Sequence, residues 1–460
     1  MTQAASKLYP LKHLLSRWAH LSQKAFSRLS QTHVTGCSRK QCHSEPSLEC
    51  AYCLTDGRRR YTQFPGRGPE TSLFSNRKED HYAVKIPTTD CVVHLHSMSS
   101  FRRIVKSVQL TEYGYPILED IFMYNETKQS RAFRINKPVG ISGLSVHTTP
   151  TPVPAPGEVL VNVRASTLNY RDLMILDGNY YKSIPEGRIP LSDGAGVVVA
   201  AGQGVTRFKA GDRVVNSFFP EWIDGPFTGE YSHYSSDVDG WLADYRAVPA
   251  EGLILIPDDL HFDEAATLPC AGVTAWSALK GVKAGDTVVT LGTGGVSLFA
   301  IQIAKGLGAR VIATTSSDEK AQQLRALGAD ETINYKEKPE WSQRVRELTS
   351  GSGANRIVEV GGAGTFDQSI KAVAVGGQVS IVGVVAGLQG TVEFMSMFMS
   401  HACYQCIALG SRHDLEDLVQ FITKHKIRPV IDSRFAFDDA KLAYERLITR
   451  NVFGKVVVNH

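Results

Sequence analysis

The stretch that most constrains this chain is Thr287–Gly306, TVVTLGTGGVSLFAIQIAKG. An apolar run, Thr287–Leu291, is followed by a glycine-rich turn, Gly292-Thr293-Gly294-Gly295, and then by an amphipathic pattern. Val296, Phe299, Ala300, Ile303, Ala304 and Leu307 recur at helical spacing and form one face of a helix. Strand, glycine turn and helix open a dinucleotide-binding βαβ unit. Pyrophosphate binding needs backbone N–H groups at a helix N-terminus with no Cβ in the way, and the glycines meet that requirement. Ser297 stands where a third glycine would complete the usual pattern. A glycine turn in some other α/β sheet is the alternative reading.

At 460 residues the chain has room for two or three domains. It has no apolar run near the ~18 residues of a membrane span, so none is expected. Residues 1–130 carry 18 Lys and Arg against 11 Asp and Glu, whereas residues 131–460 carry 32 against 35. The larger part is close to neutral, which argues against nucleic-acid binding as its task. Cys37, Cys42, Cys50, Cys53 and Cys91 fall in the first 91 residues, and only Cys270, Cys403 and Cys406 follow. That is no disulfide framework, so a reducing compartment is expected.

The first 44 residues lack Asp and Glu, are rich in Ser, and carry Lys7, Lys12, Arg17, Lys24, Arg28, Arg39 and Lys40. With Leu8, Leu11, Leu14, Leu15, Trp18 and Leu21 on one stripe, they match a mitochondrial transit peptide, or else a basic tail. The location expected is cytoplasmic, with the mitochondrial matrix as the alternative. Asp56–Pro69 reads as loop. Cys37, Cys42, Cys50 and Cys53 lack the two separated pairs of a zinc ribbon. Ser97–Leu110 could hold a strand or short helix. Residues 1–130 are thus predicted to be a poorly structured extension.

From Arg131 the texture changes. Glu158–Ala165, Gly194–Ala200, Arg213–Ser217, Trp241–Val248 and Leu253–Ile256 are short apolar runs between turn signals, as in a small β-barrel. After the glycine turn, predicted strands at Arg310–Thr315, Thr332–Tyr335, Arg356–Val360 and Gln378–Val384 alternate with helices at Ser317–Leu327, Glu340–Thr349 and Thr365–Ala374. That alternation predicts a parallel, doubly wound sheet. Ligands bind at the C-terminal ends of its strands, which makes Gly361 and Val384 cleft candidates. Helices at Leu415–Lys424 and Asp438–Thr449 precede a last strand, Gly454–Val458.

An NAD-specific site places an acid near the end of the second strand, for the ribose 2′-OH. Here Thr314-Thr315-Ser316-Ser317 stand there, followed by Lys320. Small hydroxyls and a cation suit a 2′-phosphate, so NADP is expected in preference to NAD. Asp318 and Glu319 beside Lys320 weigh against it.

PxPxPGEVLV, LNYRD, AGDRV, EAATLPCAGVTAW and GTGGVS occur in this order. The set resembles the medium-chain dehydrogenase/reductase superfamily, and within it the zinc-independent branch of quinone oxidoreductases and enoyl reductases. The resemblance covers about residues 131–460. It implies an α/β fold: a GroES-like β-barrel domain at 131–270, a Rossmann domain at 271–405, and a segment at 406–460 that returns to the first. It implies a homodimer and a coenzyme in the cleft, where Gly292–Ser297 would hold the pyrophosphate and Thr274 the nicotinamide amide; the aromatic stretch at 218–245 points to an apolar, bulky small-molecule substrate. Lys320 and Tyr335 match positions that bind the 2′-phosphate in NADPH-using relatives.

Zinc-dependent members carry a first ligand where Asn169-Tyr170-Arg171-Asp172 stand here, and a His-Glu pair where Asp193-Gly194 stand. With those donors replaced, a zinc-free enzyme is expected. The resemblance then makes Asn169, with Asp172 of the Asn-x-x-Asp motif, the group facing nicotinamide and substrate. Tyr180 becomes a candidate proton donor, since a phenol is neutral at pH 7 and can donate to a developing enolate. Tyr180 could also merely pack, and Tyr170 and Tyr181 compete for the role. The aromatic stretch Phe218–Tyr245 is expected to roof an apolar pocket, or to be a surface excursion or subunit contact. The function expected is hydride transfer between nicotinamide and a quinone, enone or carbonyl. Metal-free alcohol dehydrogenation and a catalytically idle coenzyme-binding protein are the alternatives.

Overall fold

The computed structural model describes residues 129–460, together with the backbone of three short strands nearer the N-terminus. The basic Ser-rich segment, the Asp56–Pro69 loop, the first five cysteines and Ser97–Leu110 lie outside the described residues. The chain divides into two units, Met1–Asn125 and Glu126–His460. In the first, β1 (Leu73–Ser75), β2 (Tyr82–Lys85) and β3 (Val92–Leu95) form an antiparallel sheet.

The second unit begins with a hairpin of β4 (Gln129–Ile135) and β5 (Leu144–Pro150). Then come β6 (Glu158–Thr167), α1 (Tyr170–Leu176), β7 (Asp193–Ala201), β8 (Arg213–Asn216), β9 (Tyr245–Pro249) and β10 (Leu253–Leu255). Antiparallel pairing joins β6, β7, β8 and β10 in that spatial order, and β9 also pairs with β6. Val159, Val161, Val163 and Ala165 alternate along β6 on one face, and all four are buried. The predicted strand Trp241–Val248 is strand only from Tyr245. Trp241 N–H instead bonds the carbonyls of Pro190 and Leu191, which turns its ring inward to be fully buried.

Helix α2 (Phe262–Ala265) and a π-helical turn, Leu268–Gly272, lead into α3 (Val273–Ala278). The alternating layer follows: β11 (Thr287–Leu291), α4 (Gly295–Gly306), β12 (Arg310–Thr315), α5 (Asp318–Ala326), β13 (Glu331–Asn334), α6 (Trp341–Leu348), β14 (Ala354–Glu359), α7 (Phe366–Ala372), β15 (Val373–Ile381), α8 (Phe394–Met399) and β16 (Cys403–Cys406). All six strands are parallel, in the order β13-β12-β11-β14-β15-β16. The order reverses between β11 and β14, the switch point at which a doubly wound sheet opens a crevice. Cys403 and Cys406 lie on the outermost strand as exposed free thiols.

Helix α9 (Arg412–His425) packs on α3. The return to the first sheet is made by β17 (Ile431–Ala436), α10 (Ala440–Ile448) and β18 (Lys455–Asn459). Strand β18 pairs antiparallel with β6 and parallel with β17. The chain end therefore completes the sheet begun some 300 residues earlier, and carries Lys455 into the space between the two layers.

Candidate active site

The glycine turn has the geometry the sequence calls for. Gly292 has φ +74°, a left-handed conformation that a side chain would strain. A Cβ at Gly292 or Gly294 would meet no atom within 4 Å, so the space over the turn is open. Helix α4 starts at Gly295, which aims its first N–H groups at that space. Buried Phe299 and Ile303 anchor the helix to the sheet, each worth roughly 1.5–3 kcal/mol. Ser297 is buried, and its hydroxyl donates to the Leu291 carbonyl at 2.6 Å, tying the first turn of the helix to the end of β11. Thr293 turns away: its hydroxyl donates to the Val452 carbonyl at 3.0 Å, and its own carbonyl accepts from Gly454 N–H. Val296 is half-buried behind the turn, and Thr274 is buried on α3, which packs against α4.

At the end of β12, Thr315 is buried with a hydroxyl that has no hydrogen-bond partner, and its carbonyl accepts from Tyr335 N–H at 2.9 Å. Ser316 follows, then Ser317 caps α5 by accepting from Lys320 N–H at 3.3 Å. The structure thus brings Thr315, Ser316, Lys320 and Tyr335 together at one strand end. Burial holds the Lys320 ammonium below the ordinary lysine value, with Asp432 opposing. Gly361 serves the loop after β14 rather than an open cradle. Its N–H, with those of Gly362 and the Thr365 hydroxyl, satisfies the buried Glu359 carboxylate at 2.7, 3.0 and 2.5 Å. Val384 lies against that loop, where Gly362 leaves room for its backbone.

Across the crevice, Asn169 is the N-cap of α1. Its N–H donates to Asp172 Oδ2 at 2.7 Å. Its side-chain Nδ2 donates to Asp193 Oδ2 at 2.9 Å, and its Oδ1 accepts from Lys455 Nζ at 2.5 Å. Lys455 also donates to the Leu168 carbonyl at 2.6 Å and lies 3.8 Å from Asp193. Both Asp193 and Lys455 are buried. The lysine stem passes over the glycine turn: a Cβ on Gly295 would come within 2.7 Å of Lys455 Cδ. Lys455 thus links the glycine turn to Asn169. Burial pushes the Asp172 carboxyl up to about 6, against the opposing pull of Arg171 and of the Asn169 N–H.

These donors do not fit zinc. The Asn169 amide is committed at both ends, an ammonium already lies beside Asp193, and burial pushes the neighbouring Cys270 thiol up toward its neutral form. Among the described residues no group of three or more His, Cys, Asp or Glu could hold a metal ion.

Tyr180 is half-buried beyond the end of α1. Its hydroxyl accepts from Arg171 Nη2 at 3.1 Å and lies 3.3 Å from His233 Nδ1. Burial pushes its phenol up to about 12, while Arg171 draws it down. His233 is buried and, by desolvation first and then by Lys182 and Arg171, held neutral with a value near 4. Tyr181 is exposed and reaches His233 at 3.2 Å, whereas Tyr170 lies under Arg450. The aromatic stretch after β8 splits in two. Phe218, Phe219 and Trp222 form a buried cluster with Tyr231, packed against Cys270 and Leu409. Tyr234 and Trp241 belong instead to the core of the β domain. Arg171, His233 and Lys455 are the members of this site that the sequence motifs did not single out.

Two family models match the chain: an alcohol dehydrogenase GroES-like domain over residues 155–258, and a zinc-binding dehydrogenase domain over residues 295–424. A zinc-type alcohol dehydrogenase-like protein of Schizosaccharomyces pombe is 42% identical over 315 residues, 66% of this chain and 91% of that protein. An acryloyl-coenzyme A reductase of Metallosphaera sedula is 30% identical over 337 residues, 69% of this chain and 96% of that protein. The crystal structure of an NAD-dependent alcohol dehydrogenase superposes with a TM-score of 0.67 at 36% identity, covering 72% of this chain and 99% of the other. With this likeness across both layers and the crevice between them, the chain belongs to the medium-chain dehydrogenase/reductase superfamily of oxidoreductases.

Proposed function

We propose that this protein is a zinc-independent, NADP-preferring reductase that moves hydride between nicotinamide and an activated double bond: a quinone, an enone or enoyl thioester, or a carbonyl. The observation that carries this reading is the Lys455–Asn169–Asp193 bridge, which sets a buried ammonium and an oriented amide beside the coenzyme turn. Gly292, Gly294 and the start of α4 would hold the pyrophosphate, and Thr315, Ser316, Lys320 and Tyr335 the 2′-phosphate end. When bound, the nicotinamide supplies or accepts the hydride. Asn169 fixes the polar wall that faces it, and Lys455 provides positive charge where negative charge develops. Tyr180 donates the proton that completes reduction of an enone. The acryloyl-coenzyme A reductase among the relatives favours this conjugated-alkene class.

The test is NADPH oxidation with 1,4-benzoquinone, 2-cyclohexen-1-one, crotonyl-coenzyme A and benzaldehyde, beside metal analysis of the purified full chain. Turnover of at least one conjugated acceptor without bound zinc is expected. Tight NADPH binding without any turnover would support an idle coenzyme-binding protein. One zinc per chain, with activity lost on chelation, would overturn the mechanism.

A further inference from the structure

Arg171 is the site's unexplained charge. Its side chain is 12% exposed, and the nearest carboxylate oxygen, Asp172 Oδ1, is 3.9 Å away, beyond hydrogen-bonding range. Its rigid fork is instead directed at neutral groups. Nη2 and Nε point at the Tyr180 hydroxyl, at 3.1 and 3.4 Å, and Nη1 donates to the Tyr234 carbonyl at 3.0 Å. The guanidinium carbon lies 4.9 Å from the Tyr180 ring centre and 4.8 Å from that of Phe218, so aromatic faces shield it from water. A buried cation is costly unless an anion answers it. Asp172 answers it only through charge, without a hydrogen bond, and the group that can become a hydrogen-bonded anion is Tyr180.

We propose that Arg171 is a positioning residue for Tyr180, its guanidinium holding the phenol oxygen ready to carry the negative charge left when the proton departs. The inference rests on Tyr180 being the proton donor. In reduction of an enone by NADPH, hydride bonds to the β-carbon and the alkene electron pair becomes an enolate. The Tyr180 O–H bond then breaks, its proton bonds to the α-carbon, and the electron pair stays on the phenol oxygen. The nicotinamide is oxidised, the alkene is reduced, and a proton from solvent restores the phenol. At the moment of transfer the two Arg171 contacts, which already have a charged donor, gain a charged acceptor as well and strengthen. With Arg171 filling the acceptor side of the hydroxyl, its hydrogen is left to point toward His233 or into the cleft. Because Arg171 favours the phenolate, it opposes the burial that otherwise weakens Tyr180 as an acid. The other ionisable groups around the pair are Tyr181 and His233 beside Tyr180, Asp172 and Cys270 beside Arg171, and the Lys182–Asp237 pair next to His233.

The experiment places 3,5-difluorotyrosine at position 180 of the full chain and follows its phenol by fluorine NMR as pH is varied. This readout needs neither coenzyme nor acceptor. Arg171→Met should raise the apparent phenol pKa by about one unit or more, as expected for loss of an adjacent opposite charge, and Arg171→Lys by less. Arg171→Lys keeps a cation and carries the same comparison if the methionine variant does not fold. In turnover with the best acceptor of the panel above, Tyr180→Phe and Arg171→Met should each slow the reaction, and the double variant should be no slower than Tyr180→Phe alone. An unmoved phenol titration, or fully additive losses, with Tyr180→Phe still impaired, would overturn the role of Arg171 and leave that of Tyr180 standing. Full activity in Tyr180→Phe would overturn the proton-donor reading and this inference with it.

Discussion

Lys455 and Asn169 lie 286 residues apart in sequence and 2.5 Å apart at their side-chain tips, and the far end of the same amide reaches Asp193 at 2.9 Å. The amide is therefore held between a buried cation and a buried carboxylate, which fixes which of its ends is oxygen. Lys455→Met should destabilise the protein by about 3–5 kcal/mol, because it leaves Asp193 buried without its cation. Lys455→Met combined with Asp193→Asn should recover a large part of that loss. Urea unfolding of the two single variants and the double variant measures the coupling. Strict additivity would show that the pair does not interact.

Gly294 offers a test, free of folding effects, of the proposal that the glycine turn binds coenzyme. Its backbone is extended, with φ −77° and ψ 170°, and a Cβ there would touch nothing. Gly294→Ala should leave the melting temperature unchanged while filling the space over the helix N-terminus. Affinity for NADPH should fall by roughly tenfold or more, about 1.4 kcal/mol, as read by fluorescence titration. Unchanged binding would mean that the pyrophosphate lies elsewhere.

Asp172 is a carboxyl whose folded-state value, about 6, lies above the 3.8 of an unperturbed group. Burial is the main cause. Between those two values the folded chain holds a proton that the unfolded chain releases, so this group's contribution to stability falls as pH rises from about 4 through 6. Asp172→Asn, which can still accept from the Asn169 N–H, should therefore stabilise the protein at pH 7.5, by on the order of 2 kcal/mol. The gain should fade toward pH 4. Thermal melts of both proteins across that range decide it. A gain independent of pH would place its source outside this ionisation.

Much of the fold could be read from local pattern, because strands and helices are set by spacing that neighbours in sequence reveal. Thr287–Leu291 and Arg310–Thr315 coincide with observed strands, residue for residue. The hairpin of β4 and β5 went unread, since its outer face is polar and Leu144–Pro150 runs into proline-rich sequence. The candidate site was legible where backbone geometry demands a residue type, as at Gly292. Charges brought together by the fold were not. A lysine heading the buried run Val456–Val458 gives no local sign that it crosses to Asn169. Arg171 looks like a helix-surface residue until Phe218 and Tyr234, both some 50 residues on or more, close over it.

In the proposed function, coenzyme choice turns on the end of β12, where Thr315, Ser316, Lys320 and Tyr335 gather and no carboxylate takes the place after Thr315. A 2′-phosphate gains from the Lys320 ammonium, whereas a bare ribose hydroxyl gains nothing from it. Lys320→Ala should therefore weaken kcat/KM for NADPH by about tenfold, the loss of one charge-assisted hydrogen bond, and leave NADH nearly unchanged. Ser316→Asp should act in both directions, repelling the phosphate while offering the ribose 2′-OH an acceptor, so that the NADPH/NADH ratio of kcat/KM falls further than in Lys320→Ala. Initial rates with each coenzyme at a fixed acceptor concentration measure both ratios. Equal losses with the two coenzymes in Lys320→Ala would assign that lysine to the strand end itself and remove the phosphate from its role.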